Sequence, residues 1–104
     1  MDREQLLREI RRSLEEAFPR RLQGVLLYGS EARCQSDPDS DLDLLVLLAG
    51  PVTEPEDSWK CIDALYGLIL QSGRPIHAEP VDVDEYLAAE YPLFQRAADE
   101  GVLL

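Results

Sequence analysis

The chain has 104 residues, 45% of them hydrophobic, and a formal net charge of -11 at pH 7, which predicts one domain with a modest core. Because ten basic residues stand against 21 acidic ones, the composition argues against direct nucleic-acid binding and favours either simple solubility or a basic protein partner. No apolar run approaches the ~20 residues of a membrane span and the charged N-terminus is unlike a signal peptide, so we expect a cytoplasmic location away from membranes.

Apolar residues at helical spacing predict a first helix over residues 2–18, which Pro19 ends. The main concentration of basic residues lies in and just after this helix, and we interpret it as a solvated surface rather than a ligand site: Arg8, Arg11, Arg12, Arg20 and Arg21. Residues 24–28 then form the first predicted strand. This strand is apolar on both faces, which is typical of a central position in a sheet.

A second strand is predicted over residues 41–48, and it begins with two aspartates. Since side chains alternate between the faces of a strand, Asp41 and Asp43 share one face with Leu45 and Leu47. Two adjacent carboxylates repel each other, and a divalent cation would relieve that repulsion. Hard oxygen ligands in this arrangement suit Mg²⁺, which also binds substrate phosphates.

Gly29 and Ser30 lie between the two strands, directly after the first one. Alone, such a pair is an ordinary turn. If a short helix begins at Ser30, however, the backbone N–H groups and the hydroxyl are placed to hold phosphates. The polar residues 34–40 that follow are typical of a loop.

Thr53 and Glu56 predict a capping box for a second long helix that runs to about Gln71. Its apolar residues include Trp59 and Tyr66, which could stack on a base. At their spacing we interpret them instead as core residues.

Residues 75–81 predict a third strand, with His77 and Glu79 on one face. Asp82 is predicted to be the N-cap of a short helix over 84–89. A further helix is predicted over 92–100. The apolar end, Val102–Leu104, either enters the core or joins an interface. The predicted fold is an α/β domain of two or three layers, with a small mixed sheet flanked by helices and the site at one end of the sheet.

The motif Gly29-Ser30, ten residues and then Asp41-x-Asp43 resembles the signature of the nucleotidyltransferase superfamily that includes DNA polymerase β. Ala32, Arg33 and Ser40 fit its fuller form, whereas Cys34 stands where the family usually has glycine. The chain is most similar to the minimal nucleotidyltransferases, and this implies a fold like the palm of polymerase β.

The resemblance implies transfer of AMP from ATP to an acceptor hydroxyl. Asp41 and Asp43 would bind one or two Mg²⁺ ions, while Gly29 and Ser30 hold phosphates and Arg33 offsets their charge. The family commonly has a third carboxylate on the next strand, as a base or metal ligand. Here the residues leave open whether Glu79 fills that role or His77 occupies its position.

The resemblance also implies a partner, because minimal nucleotidyltransferases often accompany a small helical protein of the HEPN class, which they modify with AMP as antitoxins. Two alternatives stay open. The chain could be a catalytically degenerate module that inhibits its partner by occlusion, or one subunit of a small-molecule nucleotidyltransferase. Either homo- or hetero-oligomers would be compatible with the sequence.

Overall fold

The computed structural model describes residues 2–29, 41–88 and 101–104. Within these residues the elements are, in chain order, helix α1 (Arg3–Ala17), strands β1 (Leu22–Tyr28) and β2 (Leu42–Leu48), helix α2 (Glu56–Ser72), strand β3 (Ile76–Asp82), helix α3 (Val83–Ala88) and strand β4 (Val102–Leu103). The predicted helix from Ser30, the loop 34–40 and the helix 92–100 lie outside the described residues. No helix in the described ranges is both long and apolar enough to cross a membrane.

The strands form a mixed sheet in the order β3-β2-β1-β4. Strand β1 is antiparallel to both of its neighbours, and β2 is parallel to β3. This confirms the small mixed sheet and the central position of β1. Strand β4 was not predicted: the apolar end of the chain pairs with β1 through Leu26 and Leu103, and the N–H of Leu104 donates to the carbonyl of Val25.

The larger core lies between one face of the sheet and helices α1 and α2. It is built from buried residues of four elements: Leu6, Ile10 and Leu14 of α1, Val25 and Leu27 of β1, Leu42, Leu44, Val46 and Leu48 of β2, and Cys61, Leu65 and Leu68 of α2. The opposite face carries a smaller cluster of Leu26, Leu45, Leu47 and Val81, against which Tyr86 of α3 packs. The alternation predicted for β2 is therefore confirmed, since Leu45 and Leu47 lie on the face opposite the two long helices.

The predicted N-terminal cap of α3 is confirmed, whereas that of α2 is not. Asp82 caps α3, since its Oδ1 accepts a 2.8 Å hydrogen bond from the N–H of Asp84. The predicted capping box of α2 is wrong, because the N-cap is Pro55 and it makes no side-chain capping bond. The reason is that the N–H of Thr53 donates to Asp57, the second residue of α2, at 2.9 Å, and not to Glu56.

The interpretation of Trp59 and Tyr66 as core residues is also wrong, because both side chains are exposed. Helix α2 carries two apolar stripes on different faces. The one that packs on the sheet contains Cys61, Leu65 and Leu68. The sequence periodicity predicts the helix but does not decide which stripe faces the sheet.

Arg21 departs from the solvated role predicted for the basic residues. Its guanidinium makes two hydrogen bonds to the carboxylate of Asp57, at 2.9 and 3.0 Å, and it also donates to the carbonyls of Ala49 and Pro51. The residue therefore joins the start of β1 to the start of α2. Arg12 does match the prediction, since among the described residues its one ion pair, with Glu16, is exposed.

Candidate active site

Asp41 and Asp43 lie at the N-terminal end of β2, on the sheet face opposite α1 and α2. Asp41 directly precedes the strand and is exposed, while Asp43 is half-buried. Beyond them on the same face, Leu45 and Leu47 are buried in the smaller cluster. The apolar part of the strand thereby holds the two carboxylates at the rim of the sheet, as the alternation predicts.

The neighbouring strands place two further side chains beside this pair. In the sheet register, Tyr28 of β1 and His77 of β3 are the direct partners of Asp43. Directly paired residues share a face, so the three form one row across the sheet. The Nε2 atom of His77 lies 3.0 Å from Oδ2 of Asp41. Sequence analysis missed Tyr28, although its place at the end of an apolar strand just before Gly29 was a usable signal.

Glu79 occupies the next position of β3 on the same face, opposite Leu45. Successive residues on one face of a strand are about 6.6 Å apart, so Glu79 lies one step beyond His77. The structure thus brings His77, rather than Glu79, against the aspartate pair. Glu79 remains exposed on the site face.

Burial and neighbouring charges shift the pKa values of Asp43 and Tyr28. Burial raises the pKa of Asp43, while the charge of His77 lowers it and that of Asp41 raises it. The pKa of Tyr28 is also raised, first by burial and then by the carboxylates of Asp43 and Glu79. The site is therefore a patch of negative potential in which a bound cation would be stabilised.

The donor set suits Mg²⁺ together with a phosphate ligand. In the described ranges no three acidic, histidine or cysteine side chains converge on one point that could hold a metal ion. Mg²⁺ does not require such a cage, since it is usually bound by one or two carboxylates plus substrate phosphates and waters. Asp41 and Asp43 fit that requirement.

Gly29 brings the end of β1 into contact with the carboxylate of Asp43. A Cβ atom at this position would lie 2.9 Å from Oδ2 of Asp43, and the backbone φ of +79° is one that side chains rarely adopt. The backbone conformation thus favours glycine, and a side chain here would push the carboxylate of Asp43 aside. Ser30 and Arg33, the other predicted phosphate-binding residues, lie outside the described residues.

Gly29→Ala is expected to lower the stability of the fold by about 1–2 kcal/mol through its left-handed backbone. It should also weaken the binding of Mg²⁺ and ATP that the sequence motif predicts, because the new methyl group displaces Asp43. Thermal melts with and without Mg²⁺-ATP measure both effects. Gly50→Ala is the matched control, since Gly50 has a φ of +80° with no atom near its Cβ position. A ligand-induced shift reduced equally in both variants would contradict the contact with Asp43.

A shallow pocket of ≈ 300 Å³ opens beside the site. The site face contributes Tyr28, His77 and Glu79, and helix α2 contributes Ser58 and Ile62. The pocket therefore connects the carboxylate face of the sheet with the outer surface of α2.

Comparisons with known proteins agree with this fold. One chain of a toxin–antitoxin crystal structure with AMP-PNP superimposes with a TM-score of 0.68 at 21% identity, covering 92% of this chain and 69% of the other. A chain of a mutant MntA-HpeT toxin–antitoxin complex gives a TM-score of 0.61 at 17% identity, covering 100% of this chain and 72% of the other. These likenesses confirm the predicted fold. No curated protein matches the sequence.

A family model described as a nucleotidyltransferase domain matches residues 7–95, which include both aspartates, Gly29, His77 and Glu79. The match takes in every strand of the sheet except β4. The chain therefore belongs to the nucleotidyltransferase domain family.

Proposed function

We propose that this protein transfers AMP from ATP to a hydroxyl group of a partner protein, and that it acts as the antitoxin of a small helical toxin of the HEPN class. The observation that carries the proposal is the carboxylate pair at the start of β2, held against the Gly29 turn. Family membership supports nucleotidyl transfer in general. The toxin–antitoxin structures of similar fold support a protein partner, and one of them was crystallised with AMP-PNP.

In this proposal Asp41 and Asp43 would hold Mg²⁺ together with the triphosphate. The ion would supply charge stabilisation at the reacting phosphate. Gly29 and Ser30 offer backbone N–H groups to the phosphates, and Arg33 offsets their negative charge. His77 positions the carboxylate of Asp41, to which its Nε2 lies 3.0 Å away.

The acceptor enters through the pocket lined by Tyr28, His77 and Glu79. Its hydroxyl oxygen forms a bond to the α-phosphorus while the bond from that phosphorus to the bridging oxygen breaks. The electron pair leaves with pyrophosphate, and the acceptor's proton passes to the carboxylate of Glu79, which we propose as the general base.

A second candidate is a non-catalytic module that blocks its partner by occlusion. The position of His77 favours this candidate. The direct cross-strand partner of Asp43 is a histidine, and not the third carboxylate that the family commonly has on this strand. In this alternative the chain keeps the nucleotidyltransferase fold and covers its partner, but no group is transferred.

Incubation with α-labelled ATP, Mg²⁺ and the co-purifying partner separates the candidates. A labelled partner protein is the expected result. Tight association without label would establish the occlusion module instead. Label that appears only on an added small-molecule alcohol would indicate a small-molecule nucleotidyltransferase.

Glu79→Gln is expected to lower the rate of AMP transfer by about 10²-fold and to leave the Mg²⁺-ATP thermal shift unchanged. The low end of the usual range for a general base applies because Glu79 is exposed and solvent water can accept the proton in its place. Glu85→Gln, an exposed acid on α3, is the matched control. Transfer within a few-fold of wild type would remove Glu79 from the mechanism and leave the base to the partner.

A further inference from the structure

Helix α2 exposes four large apolar side chains in one stripe along its outer side. These are Trp59, Ile62, Tyr66 and Leu70, which are 62%, 56%, 58% and 66% exposed. Their spacing of three, four and four residues keeps them on one face of the helix. At 1.5 Å per residue the stripe is about 16 Å long.

The stripe is not needed to attach α2 to the sheet. Cys61, Leu65 and Leu68, on another side of the helix, already pack in the core. Scattered apolar residues on a surface are normal, but four of them in a row form a patch typical of a protein interaction site. We call this surface the α2 stripe.

Charge and shape indicate which kind of partner would fit the α2 stripe. A straight row of side chains over three turns fits one helix of a partner laid along it. The exposed acids Glu56 and Asp63 lie along one side of the row, while Lys60 has its ammonium over the ring of Phe18 at 5.8 Å. A second copy, with the same net charge of -11, would bring like charges together at this surface, whereas Lys and Arg side chains would complement it.

We propose that the α2 stripe is the docking surface for a protein that presents an amphipathic helix flanked by basic residues. Ile62 belongs both to the stripe and to the pocket that contains His77 and Glu79. A partner seated on the stripe therefore lies next to the entrance of the site. The proposal rests on the proposed function in identifying this partner with the acceptor of AMP.

Trp59 is the only tryptophan of the chain, so its fluorescence reports directly on the stripe. The test titrates the full chain with a helical peptide of leucine and lysine, about 18 residues or five turns long, and with its leucine–glutamate counterpart. We expect the free protein to have the red-shifted emission of a hydrated tryptophan and to be open to quenching by acrylamide. The basic peptide should shift the emission to the blue and protect Trp59, whereas the acidic peptide should do neither.

Tyr66→Ser with Leu70→Ser removes apolar contact without changing net charge, at two stripe positions that do not line the pocket beside the site, and it should weaken the binding of the basic peptide at least tenfold. Leu87→Ser is the matched control, because Leu87 is also exposed but lies on α3. The affinity of this variant for the basic peptide should stay within about twofold of wild type. If the basic peptide binds wild type and the stripe variant equally well, charge attraction alone explains the binding and the proposal is overturned. A blue-shifted emission of the free chain would overturn it as well, and sedimentation then tells whether a second copy covers the stripe.

The two proposals can fail separately. The stripe variant should keep its Mg²⁺-ATP thermal shift, and Asp41→Asn with Asp43→Asn should keep its affinity for the basic peptide. Loss of peptide binding in the aspartate variant would contradict a docking surface distinct from the nucleotide site.

Discussion

Replacing Asp41 and Asp43 together by asparagine is expected to abolish most of the thermal stabilisation by Mg²⁺-ATP and to lower the proposed AMP transfer by more than about 10²-fold. Ligand that binds only the folded state stabilises it by mass action, about 2.7 kcal/mol at a concentration 100 times Kd. The charge stabilisation that a metal supplies amounts to several kcal/mol in the transition state, and each 1.4 kcal/mol is about tenfold in rate. In the proposed function, both the ligand-induced stabilisation and the charge stabilisation by the metal depend on these two carboxylates.

The same variant separates loss of the site from damage to the fold. Burial raises the pKa of Asp43, so its contribution to stability is fully present below its unfolded pKa and is lost as pH rises through its folded pKa. At pH 7 the ionised carboxylate therefore opposes folding. The ligand-free double variant should melt at or above the wild-type temperature.

Glu56→Gln with Asp63→Asn is the matched control for the aspartate pair, because it removes two negative charges from the exposed surface of α2. It should keep the full ligand-induced shift. A shift retained in the Asp41 and Asp43 variant, or lost equally in both variants, would show that the nucleotide and its metal bind elsewhere.

The position of the aspartate pair was predictable because it depends only on local alternation. The two-residue period of a strand places Asp41 and Asp43 with Leu45 and Leu47, and the structure has that arrangement. Which of His77 and Glu79 lies against the aspartate pair was not predictable. It is fixed by the parallel register of β2 and β3, two strands that α2 separates in the chain, and nothing local in either strand sets that register.

The outer surface of α2 and the end of the chain were unpredictable for a related reason. Both stripes of the helix are apolar, and only packing on the sheet selects Cys61 and Leu65 for the core. Likewise, Val102 and Leu103 carry no turn or alternation signal. They become a strand because the free edge of β1 pairs with them.

The ion pair between Arg21 and Asp57 is a third feature that the sequence did not predict. The two residues are 36 positions apart, and neither has a sequence signal for the pair. Asp57 is only 2% exposed. The hydrogen bonds from Arg21 are the main cause that lowers the pKa of Asp57, against a rise from burial, and the N–H of Thr53 lowers it further. The carboxylate therefore contributes stability above its unfolded pKa, and this stability is lost as pH falls through its lower folded pKa.

Arg21→Met is expected to destabilise the fold by about 3 kcal/mol, because it leaves the buried carboxylate of Asp57 without its counter-charge. This corresponds to a fall in Tm on the order of 10–20 °C for a domain of this size. The acid-induced loss of stability should flatten in the variant, which urea melts between pH 3 and 7 would measure. Arg12→Met, which breaks only the exposed pair with Glu16, should stay within about 0.5 kcal/mol of wild type. Adding Asp57→Leu to Arg21→Met removes the orphaned charge and should recover part of the loss, whereas a further fall in Tm would mean that Asp57 stabilises the fold mainly through Thr53.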